Sequence, residues 1–185
     1  MLPIDAGTVL LPIARASIEQ ALGEKYLTRE SLPDWLVEKG ACFVTLHKQQ
    51  VLRGCIGTVD AFRPLIDDVK TNAVSAALRD PRFPSVRQEE LNEIDIEVSV
   101  LSSPEPLLFK NEMDALAQLR SGVDGVVFEW RGSRSTFLPQ VWESLPDERE
   151  FLGHLKKKAG FSIDFWAEDI NLSRYTVSKW AEVKS

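Results

Sequence analysis

Three stretches of the chain have the hydrophobic period of an amphipathic helix. Apolar residues recur every three to four positions over residues 8–26, 64–78 and 147–160, which is the spacing that places them on one helical face. Asp147 with Glu150 three residues later is typical of a capping box. Asn111 predicts the start of a further short helix. We expect each of these helices to bury one apolar face.

Other stretches alternate strictly between apolar and polar residues, which predicts strands. The clearest strand is 93–101, and 41–46 with 51–58 predicts a β-hairpin. If Lys48 and Gln49 form its loop, Cys42 lies opposite Cys55, although a slip of one residue changes that pairing. Residues 125–138 predict a second hairpin. The weakly alternating tail at 174–180 predicts one closing strand.

Composition and charge narrow the class of protein. The chain has 185 residues, 44% of them hydrophobic and 27% charged, which fits one globular domain spanning 1–185. A net charge of −6 disfavours binding to nucleic acid. No apolar run approaches the ~20 residues that cross a bilayer. Two cysteines without a secretory signal predict a cytoplasmic protein. No motif for a metal or a cofactor is present, so we expect neither.

The most unusual stretch is the run from Leu52 to Thr58, in which Gly54 and Gly57 flank Cys55. Glycine weakens a strand unless the strand bends or something approaches its backbone. One interpretation is a nucleophilic Cys55 whose thiolate is favoured by Arg53 on the same strand face. The alternative is a small buried cysteine where glycines let two layers pack closely. Neither histidine, His47 or His154, can be tied to Cys55 from the sequence.

Two other polar groups have a structural and a functional interpretation. The loop from Arg79 to Pro84 contains two arginines and one aspartate. It could bind an anion, but a turn that pairs its own charges is the favoured interpretation. Asp95 and Glu97 share one face of a predicted strand and could act as an acid–base pair. The solvated face of a half-covered sheet explains them more simply.

Several blocks in one order closely resemble the AMMECR-domain family, also called AmmeMemoRadiSam system protein A. The hallmark is the run from Leu52 to Thr58, and the matching blocks around it cover nearly the whole chain. These blocks are 43–46, 72–84, 97–101 with Pro104, 122–126, 136–142 and 151–160.

The resemblance implies an α+β fold with a mixed or mostly antiparallel sheet, helices covering it and a smaller second lobe. It also implies association with a Memo-like protein and a radical-SAM protein. The family's biochemical activity is not established. An enzyme or enzyme subunit acting on a small molecule or a protein side chain is the first hypothesis. A non-catalytic scaffold that binds a partner is the second, and a nucleic-acid-binding protein is the third.

For the first hypothesis, Cys55 is the candidate catalytic or substrate-contacting residue, and Arg53 is expected to hold an anionic group. The remaining candidates for substrate binding are Gly54, Gly57, Asn72, Arg82, Glu97 and Gln140.

Overall fold

Four α-helices and nine strands make up the part of the chain that the computed structural model describes, residues 2–24 and 32–182. The helices are α1 Gly7–Ala21, α2 Leu65–Leu78, α3 Glu112–Gln118 and α4 Glu148–Lys158. The strands are β1 Lys39–Lys48, β2 Val51–Gly57, β3 Arg63–Pro64, β4 Ile94–Leu101, β5 Glu105–Pro106, β6 Gly125–Trp130, β7 Ser133–Phe137, β8 Asn171–Tyr175 and β9 Val177–Ala181. The fold is α+β, with antiparallel sheets, as expected.

The chain forms two compact units. The first comprises Met1–Leu101 and Ser178–Ser185, and the second comprises Ser102–Val177. The second unit therefore interrupts the first between β4 and β9. Each unit has a sheet and a hydrophobic core of its own.

The sheet of the first unit has the strand order β2-β1-β4-β9, and β3 pairs with β1. Strand β4 shows why the sequence folds this way. Its residues Ile94, Ile96, Val98 and Val100 are buried in the core with residues of α1 and α2. Asp95 and Glu97 point to the opposite, partly exposed face, because side chains alternate along a strand. The interpretation of these two carboxylates as the solvated face of a sheet fits this position.

The register of the first hairpin differs from the conditional pairing of Cys42 with Cys55. The loop consists of Gln49 and Gln50, both at positive φ, one residue later than Lys48-Gln49. Arg53 is the extra residue of a β-bulge, since Leu46 pairs with Gly54 and His47 with Leu52. Cys55 consequently lies opposite Thr45. Cys42 faces the buried core on the other side of the sheet, so the pairing of the two cysteines is wrong.

Helix α2 packs so closely on β2 that only glycine fits at position 54. A Cβ atom on Gly54 would lie 2.2 Å from the carbonyl oxygen of Ala76, far inside van der Waals contact. The helix begins at Leu65, one residue later than predicted, because Pro64 is extended and belongs to β3; it ends at Leu78, as predicted. The close approach therefore places the loop that follows α2 beside the outer edge of β2.

The second unit has a sheet with the strand order β5-β8-β6-β7. Its helix termini match the sequence: Asn111 accepts a hydrogen bond from the Asp114 N–H, and Asp147 accepts from Arg149 and Glu150. The second hairpin, β6 with β7, is also as predicted.

Two further elements, the tail and helix α1, differ from the sequence predictions. The tail forms two strands, because β8 belongs to the sheet of the second unit and β9 to that of the first. Helix α1 ends at Ala21, and Leu22 is its C-cap. Tyr26, at the end of the predicted helix, lies outside the described residues.

Residues 2–24 and 32–182 contain neither a membrane-spanning helix nor a metal-binding cluster. No helix there has both the length and the apolar character to span a bilayer. No group of three or more His, Cys, Asp or Glu side chains there could hold a metal ion.

The contact at Gly54 predicts the effect of adding one methyl group. We expect Gly54→Ala to lower the free energy of unfolding by about 1–3 kcal/mol, because the new Cβ meets backbone rather than a movable side chain. Gly153→Ala is the control, since its Cβ would lie 3.4 Å from the nearest atom, in Ile163, and alanine favours a helix. Urea denaturation measures both; equal stability of wild type and Gly54→Ala contradicts the close approach.

Candidate functional site

The Cys55 side chain lies partly exposed on β2, the edge strand of the first sheet. The Thr58 N–H donates to the Cys42 carbonyl, so the alternation of an antiparallel ladder makes Cys55 and Thr45 a non-hydrogen-bonded pair. In such pairs the side chains are close. The Thr45 hydroxyl donates to the Cys55 sulfur at 3.3 Å.

The backbone of Cys55 is held by side chains of the loop after α2. Its N–H donates to Asp80 Oδ2 at 2.9 Å, and its carbonyl accepts from Arg82 Nη2 at 3.2 Å. Asp80 and Arg82 are also joined to each other, with Nη2 2.7 Å from Oδ2 and Nε 3.0 Å from Oδ1. These two residues, the Asp80–Arg82 clamp, occupy the place of a neighbouring strand at Cys55.

Asp80 and Arg82 shift each other's pKa in opposite directions. Hydrogen bonds from Arg82, with further ones from the Cys55 and Arg82 amides, hold the pKa of the Asp80 carboxyl well below its usual range despite burial. Asp80 in turn raises the pKa of the Arg82 guanidinium, and the Cys55 side chain is among the smaller causes. Since Arg82 Nη2 lies 3.2 Å from the Cys55 carbonyl oxygen, its charge lies within the same residue's surroundings as the Cys55 sulfur. The Arg82 side chain is 54% exposed.

Arg53, expected to hold an anion near Cys55, has internal partners. Its Nε and Nη2 donate to the two carboxylate oxygens of Glu90 at 3.3 and 3.1 Å, and Nη1 donates to the Pro84 carbonyl at 2.9 Å. The side chain is 12% exposed. The hydrogen bond from Arg53 is the main reason that the pKa of Glu90 is lowered to about 2. This fork-like pair fixes the bulge to the segment before β4.

Gly57 also has a packing explanation. A Cβ atom there would lie 2.2 Å from the Phe43 ring and 2.7 Å from the Cys42 carbonyl oxygen. The Phe43 ring therefore covers Gly57, its cross-strand partner. Together with the contact of Gly54 with α2, this packing explains both glycines of the stretch without a bound substrate.

Asn72 belongs to a buried cluster on the core side of the sheet. Its amide donates to the Cys42 carbonyl and to Asp68 Oδ2, both at 3.0 Å. Asp68 also accepts from the Cys42 N–H, the Thr58 hydroxyl and Arg63 Nε, at 2.8, 2.5 and 2.7 Å. Burial, with the nearby Asp68 charge, raises the pKa of the Cys42 thiol far above its usual range. This cluster attaches α2 to the hairpin and leaves Cys42 unreactive at neutral pH.

Glu97 shares the outer sheet face with Cys55, because Thr45 pairs with both residues across β1. Its carboxylate accepts from the Ser99 hydroxyl at 3.4 Å and lies 3.9 Å from the Lys179 ammonium on β9. One row of polar side chains therefore crosses four strands. We call it the polar row, and its members are Cys55, Thr45, Glu97 and Lys179. Its groups can donate, accept and pair with charges on a ligand.

The remaining candidates lie elsewhere in the chain. Gln140 is exposed within the 3-10 helix Pro139–Glu143 of the second unit. His154 is exposed on α4 of that unit. His47 lies on β1 and pairs with Leu52 and Asp95. Among the described hydrogen bonds none joins a histidine to Cys55.

Thr45 and Glu90 are not among the residues that the sequence indicates for this site, and Asp80 is indicated only as part of a self-paired turn. The expected self-paired turn was a correct signal for the pair of Asp80 with Arg82. Its contact with Cys55 depends on the position of α2. The conditional register with Cys42 opposite Cys55 also puts Leu52, and not Cys55, opposite Thr45. Nothing in the sequence connects Glu90 with Arg53.

The Arg53–Glu90 pair predicts part of the acid sensitivity. Because the pKa of Glu90 is lowered in the folded chain, its contribution to stability is complete above about pH 4.5 and is lost as the pH falls towards 2. We expect Glu90→Gln to lower the melting temperature at pH 7 and to narrow its difference from wild type at pH 2–3. Glu89→Gln, an exposed neighbour, is the control and should follow wild type. A constant difference across pH contradicts the pairing.

Comparisons with known proteins agree with this architecture. The AMMECR1 family model matches residues 11–180. Protein MJ0810 of Methanocaldococcus jannaschii is 38% identical over 192 residues, which cover 100% of this chain and 94% of that protein. A protein of Methanothermobacter thermautotrophicus is 43% identical over 179 residues, covering 92% of this chain and 91% of the relative.

A solved structure matches as well. The crystal structure of the uncharacterized protein PH0010 from Pyrococcus horikoshii superposes with a TM-score of 0.79 at 34% identity, covering 98% of this chain and 93% of that one. The match to the family model extends over both units, and the four positions of the polar row lie within the matched residues 11–180. The chain belongs to the AMMECR1 family.

Proposed function

We propose that this chain is an enzyme subunit that works with Memo-like and radical-SAM proteins, and that Cys55 contacts the substrate. The observation that carries the proposal is the surroundings of the sulfur. The Cys55 side chain is partly exposed, the Thr45 hydroxyl donates to its sulfur, and the Arg82 guanidinium donates to the carbonyl of the same residue. A hydroxyl donor and a cation both stabilise negative charge developing on sulfur, as nucleophilic cysteines require.

The polar row supports a substrate with polar groups, either a small molecule or a protein side chain. Glu97 and Lys179 offer an acceptor and a cation on the same sheet face as the thiol. Arg53, bound to Glu90, supports the geometry of β2, so anion recognition in this proposal passes to Arg82. Asn72 acts from the core side by holding α2 on the hairpin.

A matched pair of cysteine variants tests this function. We expect Cys55→Ser and Cys55→Ala to lower the activity of the system reconstituted with its partners by about 100-fold or more, because a group acting on the substrate is removed. Cys42→Ala is the control and leaves Cys55 as the single thiol. Circular dichroism verifies folding. Full activity of folded Cys55→Ala contradicts a role of this thiol in the reaction.

A non-catalytic module that binds a partner is the second candidate. This candidate is favoured because Arg53 pairs with Glu90, while α2 packs on Gly54 and Phe43 packs on Gly57. Few residues of the stretch from Leu52 to Thr58 are then left to act on a substrate. On this hypothesis, iodoacetamide alkylates Cys55 in the folded chain no faster than it alkylates a cysteine in an unstructured peptide. Hydrogen exchange with the partner bound should then show protection over residues 52–58. Fast alkylation without such protection favours the enzyme.

A further inference from the structure

We propose that Asp80 and Arg82 are positioning residues that set both the geometry and the reactivity of Cys55. This proposal deepens the proposed function and rests on it for the role of the thiol. It adds a specific task for the loop after α2. The Asp80–Arg82 clamp holds the peptide groups of one residue at the edge of the sheet, and the balance of its two charges acts on the sulfur of that residue.

The geometric part follows from the ladder. Since Cys55 and Thr45 form a non-hydrogen-bonded pair, the N–H and carbonyl of Cys55 point away from β1. Within residues 2–24 and 32–182, no strand pairs with β2 on that side. The hydrogen bonds from Cys55 to Asp80 and from Arg82 to Cys55 therefore hold peptide groups that the sheet leaves unpaired. With its backbone held, the side chain of Cys55 stays opposite the Thr45 hydroxyl.

The clamp itself is rigid. Asp80 is 4% exposed and each of its oxygens accepts two hydrogen bonds. Oδ2 accepts from the Cys55 N–H and Arg82 Nη2, and Oδ1 accepts from the Arg82 N–H and Nε. Two parallel bonds to a guanidinium fix orientation as well as distance. A loop with two prolines supplies both residues, so little backbone entropy is lost when they are ordered.

The electrostatic part follows from the opposite charges of the clamp. Asp80 Oδ2 lies 2.9 Å from the Cys55 nitrogen and Arg82 Nη2 lies 3.2 Å from the Cys55 carbonyl oxygen, so both charges adjoin the residue that carries the sulfur. Asp80 pairs with Arg82 and neutralises much of its positive charge. Removing the Asp80 charge leaves a net cation at Cys55, and removing the Arg82 charge leaves a net anion. Other charged or titratable groups around this face are His47, Arg53 with its partner Glu90, Asp95, Glu97 and Lys179. They are the same in every variant below, so differences between variants report on the clamp.

The test uses the isolated full-length chain and measures iodoacetamide alkylation of Cys55 against pH. We expect Asp80→Asn to move the pH of half-maximal rate down by about one unit and Arg82→Gln to move it up by about one unit, the effect of one nearby charge. The double variant should return close to wild type. A loop with only a structural role predicts shifts of one direction in both single variants, since both loosen the same contact.

Amide hydrogen exchange at Cys55 tests the geometric part separately. Asp80→Ala removes the acceptor of the Cys55 N–H, so exchange at this amide should accelerate by about tenfold or more, the scale of one hydrogen bond to a charged group. Arg79→Gln, an exposed arginine of the same loop, should leave exchange and alkylation unchanged. Unchanged exchange in Asp80→Ala, or shifts of equal sign in Asp80→Asn and Arg82→Gln, overturns the proposal.

The alkylation and exchange experiments use the isolated chain, so their results are independent of the activity measured with the partners. Shifts of opposite sign with full activity of Cys55→Ala in the reconstituted system would retain the clamp and reject the catalytic role. Inactive Cys55→Ala together with shifts of equal sign would retain the catalytic role and reject the clamp.

Discussion

The close packing of α2 on the first hairpin is the constraint on which the candidate site depends. At one position the Ala76 carbonyl lies over Gly54, where no side chain fits. At another, buried Asp68 and Asn72 hydrogen-bond to the backbone of Cys42. Because the helix is held at both positions, the loop that follows Leu78 has little freedom. It delivers the Asp80–Arg82 clamp to the outer edge of β2, where Cys55 needs hydrogen-bonding partners.

The same constraint divides the hallmark stretch into structural and chemical residues. Gly54 and Gly57 permit close packing by α2 and Phe43, and Arg53 forms a fork-like pair with Glu90. Cys55 differs from these residues because its partly exposed side chain lies on the outer sheet face and accepts a hydrogen bond from the Thr45 hydroxyl. The polar row extends from it to Lys179, so the outer face of this sheet combines a thiol, a hydroxyl, a carboxylate and an ammonium group. That combination makes the face suitable for binding a polar ligand.

Edge strands invite unwanted pairing with other chains, because their outer backbone groups lack partners. Here the clamp hydrogen-bonds to the outer N–H and carbonyl of Cys55. The bulge at Arg53 interrupts the regular ladder next to it. Protection of the edge and positioning of the thiol are thus achieved by the same two charged side chains. The second unit, Ser102–Val177, has a core and a sheet of its own, and none of its residues takes part in the clamp.

The local order of residues by itself determined the elements of this protein. Alternation along β4, the periodicity of α2 and the caps at Asn111 and Asp147 are visible in the sequence because they depend on neighbours a few positions apart. The resemblance of several blocks indicated the family and the α+β fold. Only the tertiary structure decided the register of the first hairpin, the division of the tail between two sheets and the partners of Arg53. It also showed that the arginine bound to Cys55 is Arg82, whereas the sequence indicates Arg53. These features depend on one residue of slip in a turn and on contacts across 25 to 37 positions, which no local pattern encodes.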